Sequence, residues 1–192
     1  CDRFSDHFRT QTRSVVAQSR QYLSGLMQAR RKNIERMAEV VAESDEQALQ
    51  HFLSQSPWSH RDVLDQVASE ADARLGGYAD SALLIDESGI TKKGRHSVGV
   101  ARQWNGRLGK VDNCQVGVFG ALCHGERAAL IDARLYLPKE WSDDPARCHR
   151  LGIPEAEQVA RAKTELALEI VRHQREAGVR FEWVVVDGGY GK

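Results

Sequence analysis

Two aspartates in this chain each follow a short apolar run. Asp86 comes directly after residues 82–85, and Asp187 comes directly after residues 183–186. Such runs, bounded by turn formers, are typical of strands buried on both faces. A carboxylate at the last position of a strand can face a cation, and neighbouring strands lie only about 4.8 Å apart. If the two strands are neighbours, the pair predicts a metal site and metal-dependent nuclease chemistry.

A turn explains each aspartate equally well when it is taken alone. Aspartate often ends a strand because its side chain accepts hydrogen bonds from the following turn, and Asp187-Gly188-Gly189 is a good turn signal. The pair favours chemistry, since phosphodiester cleavage requires a nucleophile and a leaving oxygen to be stabilised together, and divalent ions do both. Magnesium prefers hard oxygen ligands on rigid supports.

A basic stretch, residues 91–110, lies between the two aspartates. It holds six basic residues and no acidic one. Its composition suits contacts to phosphates and stacking on an unpaired base, although a solvated basic loop has the same composition. Because it starts five residues after Asp86, we expect it to surround the same pocket. The candidate DNA-contacting residues are Lys92, Lys93, Arg95, Arg102, Trp104, Arg107 and Lys110.

The other polar candidates have simpler explanations. Glu87 should point away from Asp86 if the strand continues, so we expect it outside the inner site. Asp132 lies within a strand pattern and should face solvent, while His96 and His124 are expected to be structural or exposed. Neither zinc-site spacing nor disulfide density is present among the cysteines, which we expect to be reduced: Cys1, Cys114, Cys123 and Cys148.

Composition limits the class of protein. The 192 residues, 41% of them hydrophobic, allow one domain plus a smaller appendage. Neither a membrane-length apolar stretch nor a leader is recognisable, so we expect a cytoplasmic protein. A balance of 27 basic and 27 acidic residues argues against a wholly basic nucleic-acid coat. The start at Cys1 and the stop after a strand and its glycine turn predict a fragment.

The pattern of elements changes along the chain. Residues 1–75 predict helices, with capping signals at residues 44–47 and at Ser59. The two helices that these signals open, with the turn between them, form either a DNA-binding helix-turn-helix or a structural helical hairpin. The second helix is acidic, which disfavours its insertion into a DNA groove. From residue 81 we expect three strands, with a hairpin at Gly125-Glu126, then a long helix between residues 156 and 177 and a last strand. This predicts a mixed α/β domain.

Residues 84–94, 96–103 and 109–116 closely resemble bacterial insertion-sequence transposases of the DDE superfamily, and residues 185–191 resemble their second catalytic block. The resemblance implies an α/β, RNase H-like mixed sheet with flanking helices, preceded by a helical N-terminal segment. It also implies Mg2+ or Mn2+ as cofactor and cut-and-join chemistry at transposon ends. Asp86 would match the first catalytic and metal-binding aspartate, and Asp187 the second.

The same resemblance implies an organisation and partners. We expect a helical region for DNA binding or dimerisation at 1–78 and a partial catalytic domain at 79–192. The family's third acidic ligand would lie beyond Lys192, which implies an inactive fragment. Partners would be double-stranded DNA, as terminal inverted repeats and target, with a homodimer on DNA allowed, no membrane, and a nucleoid location. A repair or junction nuclease and a non-catalytic DNA-binding remnant stay open as alternatives.

Overall fold

Helices make up the first part of the chain and a sheet makes up most of the second. The computed structural model describes residues 2–11 and 13–191. One compact unit ends at Gln66 and a second begins at Val67. In this described part of the chain, no helix is both long and apolar enough to cross a membrane.

The first elements are short helices. Asp45 lies within the predicted capping signal at residues 44–47 but forms the cap in place of Ser44. The Asp45 side chain accepts a hydrogen bond from the Ala48 N–H at 2.7 Å, and Ser59 Oγ accepts one from the Asp62 N–H at 3.2 Å. Both caps satisfy N–H groups that a helix start leaves without a partner. A 3-10 helix over Asp2–Phe8 is followed by α1 (Val16–Gln28), α2 (Ile34–Val40), α3 (Glu46–Ser54) and α4 (His60–Leu75).

The turn between α3 and α4 is built around an aromatic cluster. Phe52 and Trp58 stack with ring centroids 5.5 Å apart, and Phe8 meets Trp58 edge-on at the same centroid distance. The Trp58 indole N–H donates to the Phe52 carbonyl at 2.9 Å, which satisfies a carbonyl near the end of α3. Of the two interpretations of this segment, helix-turn-helix and structural helical hairpin, these contacts fit the structural hairpin.

The sheet places its strands so that the first and last are neighbours. β1 pairs with β3 in antiparallel fashion and with β5 in parallel, and β3 carries both β2 and β4 as antiparallel partners. This mixed sheet with flanking helices confirms the predicted α/β, RNase H-like class. The elements are β1 (Ala82–Thr91), β2 (Ala101–Asn105), β3 (Lys110–His124), β4 (Arg127–Leu135), α5 (Lys139–Ser142), α6 (Pro145–Arg150), α7 (Lys163–Glu176) and β5 (Trp183–Val186), with 3-10 helices at Glu155–Glu157 and Gly188–Gly191.

One face of the sheet is buried against α7. Leu83 and Ile85 of β1 and Ile170 of α7 belong to the main core of this unit. Gly120 of β3 permits the close approach, because a Cβ at this position would lie 2.8 Å from Cγ2 of Ile170. β5 is different: all four of its residues are exposed, Trp183 at 62%, and within the described residues it pairs only with β1.

Three details of the fold differ from expectation. The basic stretch contains a strand, β2, and the long helix begins at Lys163, which leaves Val159 in an exposed segment. Asp132 is fully buried, so the prediction that it faces solvent is wrong. The reason is a β-bulge: Ala121 faces Leu130 but Gly120 faces Asp132, so Asp132 is turned to the core side and accepts a hydrogen bond from Gln174 at 2.9 Å.

Candidate active site

The parallel pairing of β1 with β5 brings the two aspartates to neighbouring positions. The ladder runs in register from Ala82 opposite Trp183 to Ile85 opposite Val186. Asp86 and Asp187 are the next residues on the two strands. The last paired residues have backbones about 4.8 Å apart. The two aspartates therefore start from adjacent backbone positions at the point where the pairing ends.

Asp86 does not end its strand, contrary to the sequence expectation. β1 continues to Thr91 because β3 is long enough to pair with it as far as Cys114. A run of polar residues and a glycine after Asp86 conceals this continuation in the sequence. On its other side β1 loses its partner at Asp86, since β5 stops at Val186. Asp86 thus lies beside an open edge of the sheet, although it is in the middle of a strand.

Alternation along β1 determines which face the aspartate occupies. Leu83 and Ile85 are buried on the side of α7. Asp86, the residue after Ile85, is exposed. Asp187 is exposed as well. Two negative charges can lie close together here because both side chains reach solvent.

Each aspartate is oriented by one backbone hydrogen bond. Oδ1 of Asp86 accepts from the Glu87 N–H at 2.7 Å, and Oδ1 of Asp187 accepts from the Gly189 N–H at 2.9 Å. Across residues 2–11 and 13–191, neither Oδ2 atom accepts a hydrogen bond. Two oriented carboxylates with available oxygens fit Mg2+ or Mn2+, which is commonly held by one or two carboxylates and several waters. In the same described part, no group of three or more His, Cys, Asp or Glu residues could hold a metal.

Glu87 lies beside the pair but its charge is engaged. Its Oε1 accepts from Nζ of Lys163, at the first turn of α7, at a distance of 2.6 Å, and both side chains are about three-quarters buried. A cation bound by Glu87 would have to displace or repel that ammonium group. The ion pair therefore leaves Asp86 and Asp187 as the candidate ligands.

Tyr190 is a neighbour that the sequence analysis missed. It lies in the 3-10 helix after β5, where its N–H donates to the Asp187 carbonyl at 3.2 Å. Burial, followed by the charges of Glu87, Asp86 and Asp187, raises the pKa of Tyr190 to about 12. The sequence did offer a signal for Tyr190, because it is an aromatic residue in a glycine-rich turn directly after Asp187.

The basic stretch begins at a distance from the aspartates. Because β1 extends five residues past Asp86, the stretch starts about 17 Å further along the strand. The expectation that it surrounds the aspartates rested on a strand ending at Asp86. Trp104 is 53% exposed and Lys92 is half-buried, and the other candidates are exposed: Lys93, Arg95, Arg102, Arg107 and Lys110.

Side chains fix the backbone of the basic stretch. Nδ2 of Asn113 donates to the carbonyls of Lys92 at 2.6 Å and Gly94 at 3.0 Å. The buried Trp141 indole N–H donates to the Val100 carbonyl at 2.9 Å, and the Arg147 guanidinium lies 3.4 Å above the Trp141 ring and donates to the Arg95 carbonyl. Side chains thus anchor the part of the stretch before β2, while β2 itself pairs with β3.

The histidines and cysteines have structural surroundings. Nδ1 of His124 lies 2.6 Å from Oδ1 of Asp80, and its ring stacks on Tyr78 at 3.8 Å. The hydrogen bond with His124 lowers the pKa of Asp80. His96 is exposed. Cys114 and Cys148 are buried free thiols and Cys123 is a half-buried one, while Cys1 lies outside the described residues.

Comparison with known proteins gives two matches in sequence. A family described as DDE superfamily endonuclease matches residues 3–192. A probable transposase for insertion sequence element IS701 from Microchaete diplosiphon is 32% identical over 165 residues, which is 85% of this chain and 40% of that protein. The chain therefore spans less than half the length of this curated relative. No solved structure gives a significant match.

Proposed function

Because the chain belongs to the DDE superfamily endonuclease family, we propose that it forms part of the catalytic core of a transposase, one that cuts and joins DNA at the ends of an insertion sequence. One structural observation carries this proposal. The parallel pairing of β1 and β5 supports it, because the residues that directly follow the last pair, Asp86 and Asp187, are both exposed. That is the arrangement that phosphodiester chemistry needs.

Asp86 and Asp187 would hold the cofactor through their Oδ2 atoms. Bound Mg2+ or Mn2+ would supply an activated water or hydroxyl and stabilise the leaving oxygen. The protein's own contribution is to orient the carboxylates, since each has one oxygen tied to a backbone N–H. Fixed ligands on a sheet need little reorganisation when charge develops nearby.

The basic stretch would bind the DNA backbone. Its guanidinium and ammonium groups would contact phosphates, and Trp104 would stack on an unpaired base. The DNA would be double-stranded, comprising the terminal inverted repeats and the target, and the protein would act on the nucleoid, with a homodimer on the DNA as its assembly. Because the described residues hold no group of three or more side chains that could bind a metal, we expect this chain by itself to bind cations and DNA without cleaving.

Cation titration tests the carboxylate assignment. In the 192-residue chain, Asp86→Asn and Asp187→Asn keep the side-chain size but remove the charge, so Mn2+ should bind at least about tenfold more weakly to each. Electron paramagnetic resonance of free Mn2+ measures this. Asp143→Asn, an exposed aspartate at the end of α5, is the control and should bind as the unaltered chain does. Unchanged affinity in both site variants would refute the assignment.

A DNA titration on the same protein examines the second half of the proposal. Arg107→Ala should reduce the slope of log affinity against log salt by about 1, as expected for one lost phosphate contact, while Arg172→Ala on the exposed side of α7 should leave the slope unchanged. If the two variants have the same slope of log affinity against log salt, Arg107 does not contact a phosphate. Cleavage of DNA by this chain without strand joining would favour a repair nuclease.

A further inference from the structure

The hydroxyl group of Tyr190 is buried and, among the described residues, makes no hydrogen bond. In the described part of the chain, this oxygen is shielded from solvent and has no donor or acceptor within range. Buried polar groups almost always have a partner, and an exception usually marks a water, an ion or a catalytic role. The orphan hydroxyl therefore points to a ligand at this place.

Packing explains why the hydroxyl is held there. The Tyr190 ring rests against the main core of its unit, and the 3-10 helix that carries it begins immediately after Asp187. The ring cannot turn outward without losing these apolar contacts. Its oxygen is thus kept near the carboxylates by the core, and not by any bond that it makes itself.

The neighbouring groups leave the hydroxyl available as a donor. Glu87 is paired with Lys163, and one oxygen of each aspartate accepts from a backbone N–H. The carboxylates act on Tyr190 through their charge but lie beyond hydrogen-bond range of its oxygen. A neutral tyrosine hydroxyl carries a proton, so it can donate a hydrogen bond to a water molecule that reaches it.

We propose that Tyr190 is a positioning residue of the cation site, whose hydroxyl donates a hydrogen bond to a water molecule in the shell of a divalent cation held by Asp86 and Asp187. This inference rests on the proposed function. Magnesium and manganese keep several waters when carboxylates bind them, and groups that hold such outer ligands change metal affinity by about 10–100-fold. Tyr190 would orient one of these waters toward the face where DNA lies.

Removal of the single oxygen tests the proposal. Tyr190→Phe keeps the ring and its packing, so the melting temperature of the metal-free chain should stay within about 2 °C of the unaltered one. Its affinity for Mn2+, measured by electron paramagnetic resonance, should fall about tenfold. Tyr78→Phe, which removes the hydroxyl of a half-exposed tyrosine, is the matched control and should change neither quantity.

The outcomes separate this inference from the proposed function. If Asp86→Asn weakens Mn2+ binding but Tyr190→Phe binds within twofold of the unaltered chain, the role of Tyr190 is overturned and the carboxylate site stands. A Tyr190→Phe variant that melts at a lower temperature with unchanged Mn2+ affinity shows a structural hydroxyl and also overturns the proposal. If Asp86→Asn and Asp187→Asn both leave Mn2+ binding unchanged, the proposed function itself fails.

Discussion

The aspartate pair and the basic stretch are positioned by different means. Asp86 and Asp187 are placed by the backbone ladder between β1 and β5, which uses groups that every residue has. The part of the basic stretch before β2 is placed by particular side chains, Asn113, Trp141 and Arg147, which bond to its carbonyls. The first arrangement survives most side-chain changes, whereas the second depends on a few residues. Substitutions should therefore affect the two regions differently.

The largest effect is expected at Trp141. Trp141→Ala empties a fully buried site and removes the hydrogen bond to Val100, so the free energy of unfolding should fall by about 3–5 kcal/mol. Urea denaturation followed by circular dichroism measures it. Trp104→Ala, at a half-exposed tryptophan of the same stretch, should change stability by less than about 1 kcal/mol. Equal losses in the two variants would contradict the view that Trp141 anchors the stretch.

A smaller effect is expected at Asn113. Asn113→Ala removes two hydrogen bonds to the carbonyls of Lys92 and Gly94, which should cost about 1–2 kcal/mol. The freed segment should also be cut several-fold faster by trypsin, as measured by mass spectrometry of the fragments. Asn33→Ala is the control, because the Asn33 side chain makes no capping hydrogen bond to α2. Unchanged cleavage near Lys92 would show that the stretch is held by other contacts.

The smallest effect is expected at Asp80, a side-chain anchor that lies in solvent. Its pKa is lowered in the folded chain, mainly by the hydrogen bond with His124, so its contribution is present above the usual aspartate range near pH 4 and is lost as pH falls through the lowered pKa. The melting temperature of Asp80→Ala should be slightly lower than that of the unaltered chain at pH 7, and the two melting temperatures should become equal in acid. With Asp143→Ala as control, no such convergence is expected. A melting-temperature difference that grows in acid would contradict a lowered pKa of Asp80 in the folded chain.

Local patterns were sufficient to predict much of the fold. The apolar runs that became β1 and β5, the hairpin at Gly125-Glu126 and the helix starts at Asp45 and Ser59 all depend on residues close in sequence. The pairing of β1 with β5 was the condition on which the aspartate site depended, and the sheet fulfils this condition. These features could be predicted because apolar periodicity and capping act over a few residues.

Features that depend on distant partners could not be predicted. β2 and the second half of β1 are polar segments, and they are strands only because β3 pairs with both. Asp132 is buried because a bulge shifts the register, which single-strand alternation cannot show. Tyr190 gained its place from the core that its ring contacts. In each case the deciding contact is far away in sequence.

The register between β1 and β5 also determines which genetic changes this site tolerates. Replacement of one apolar residue by another within Trp183–Val186 leaves the backbone ladder intact, so Asp187 keeps its place opposite Asp86. Insertion or deletion of a single residue in that segment would turn Asp187 to the opposite face of the sheet. Selection on this strand should therefore preserve its length more strictly than its composition.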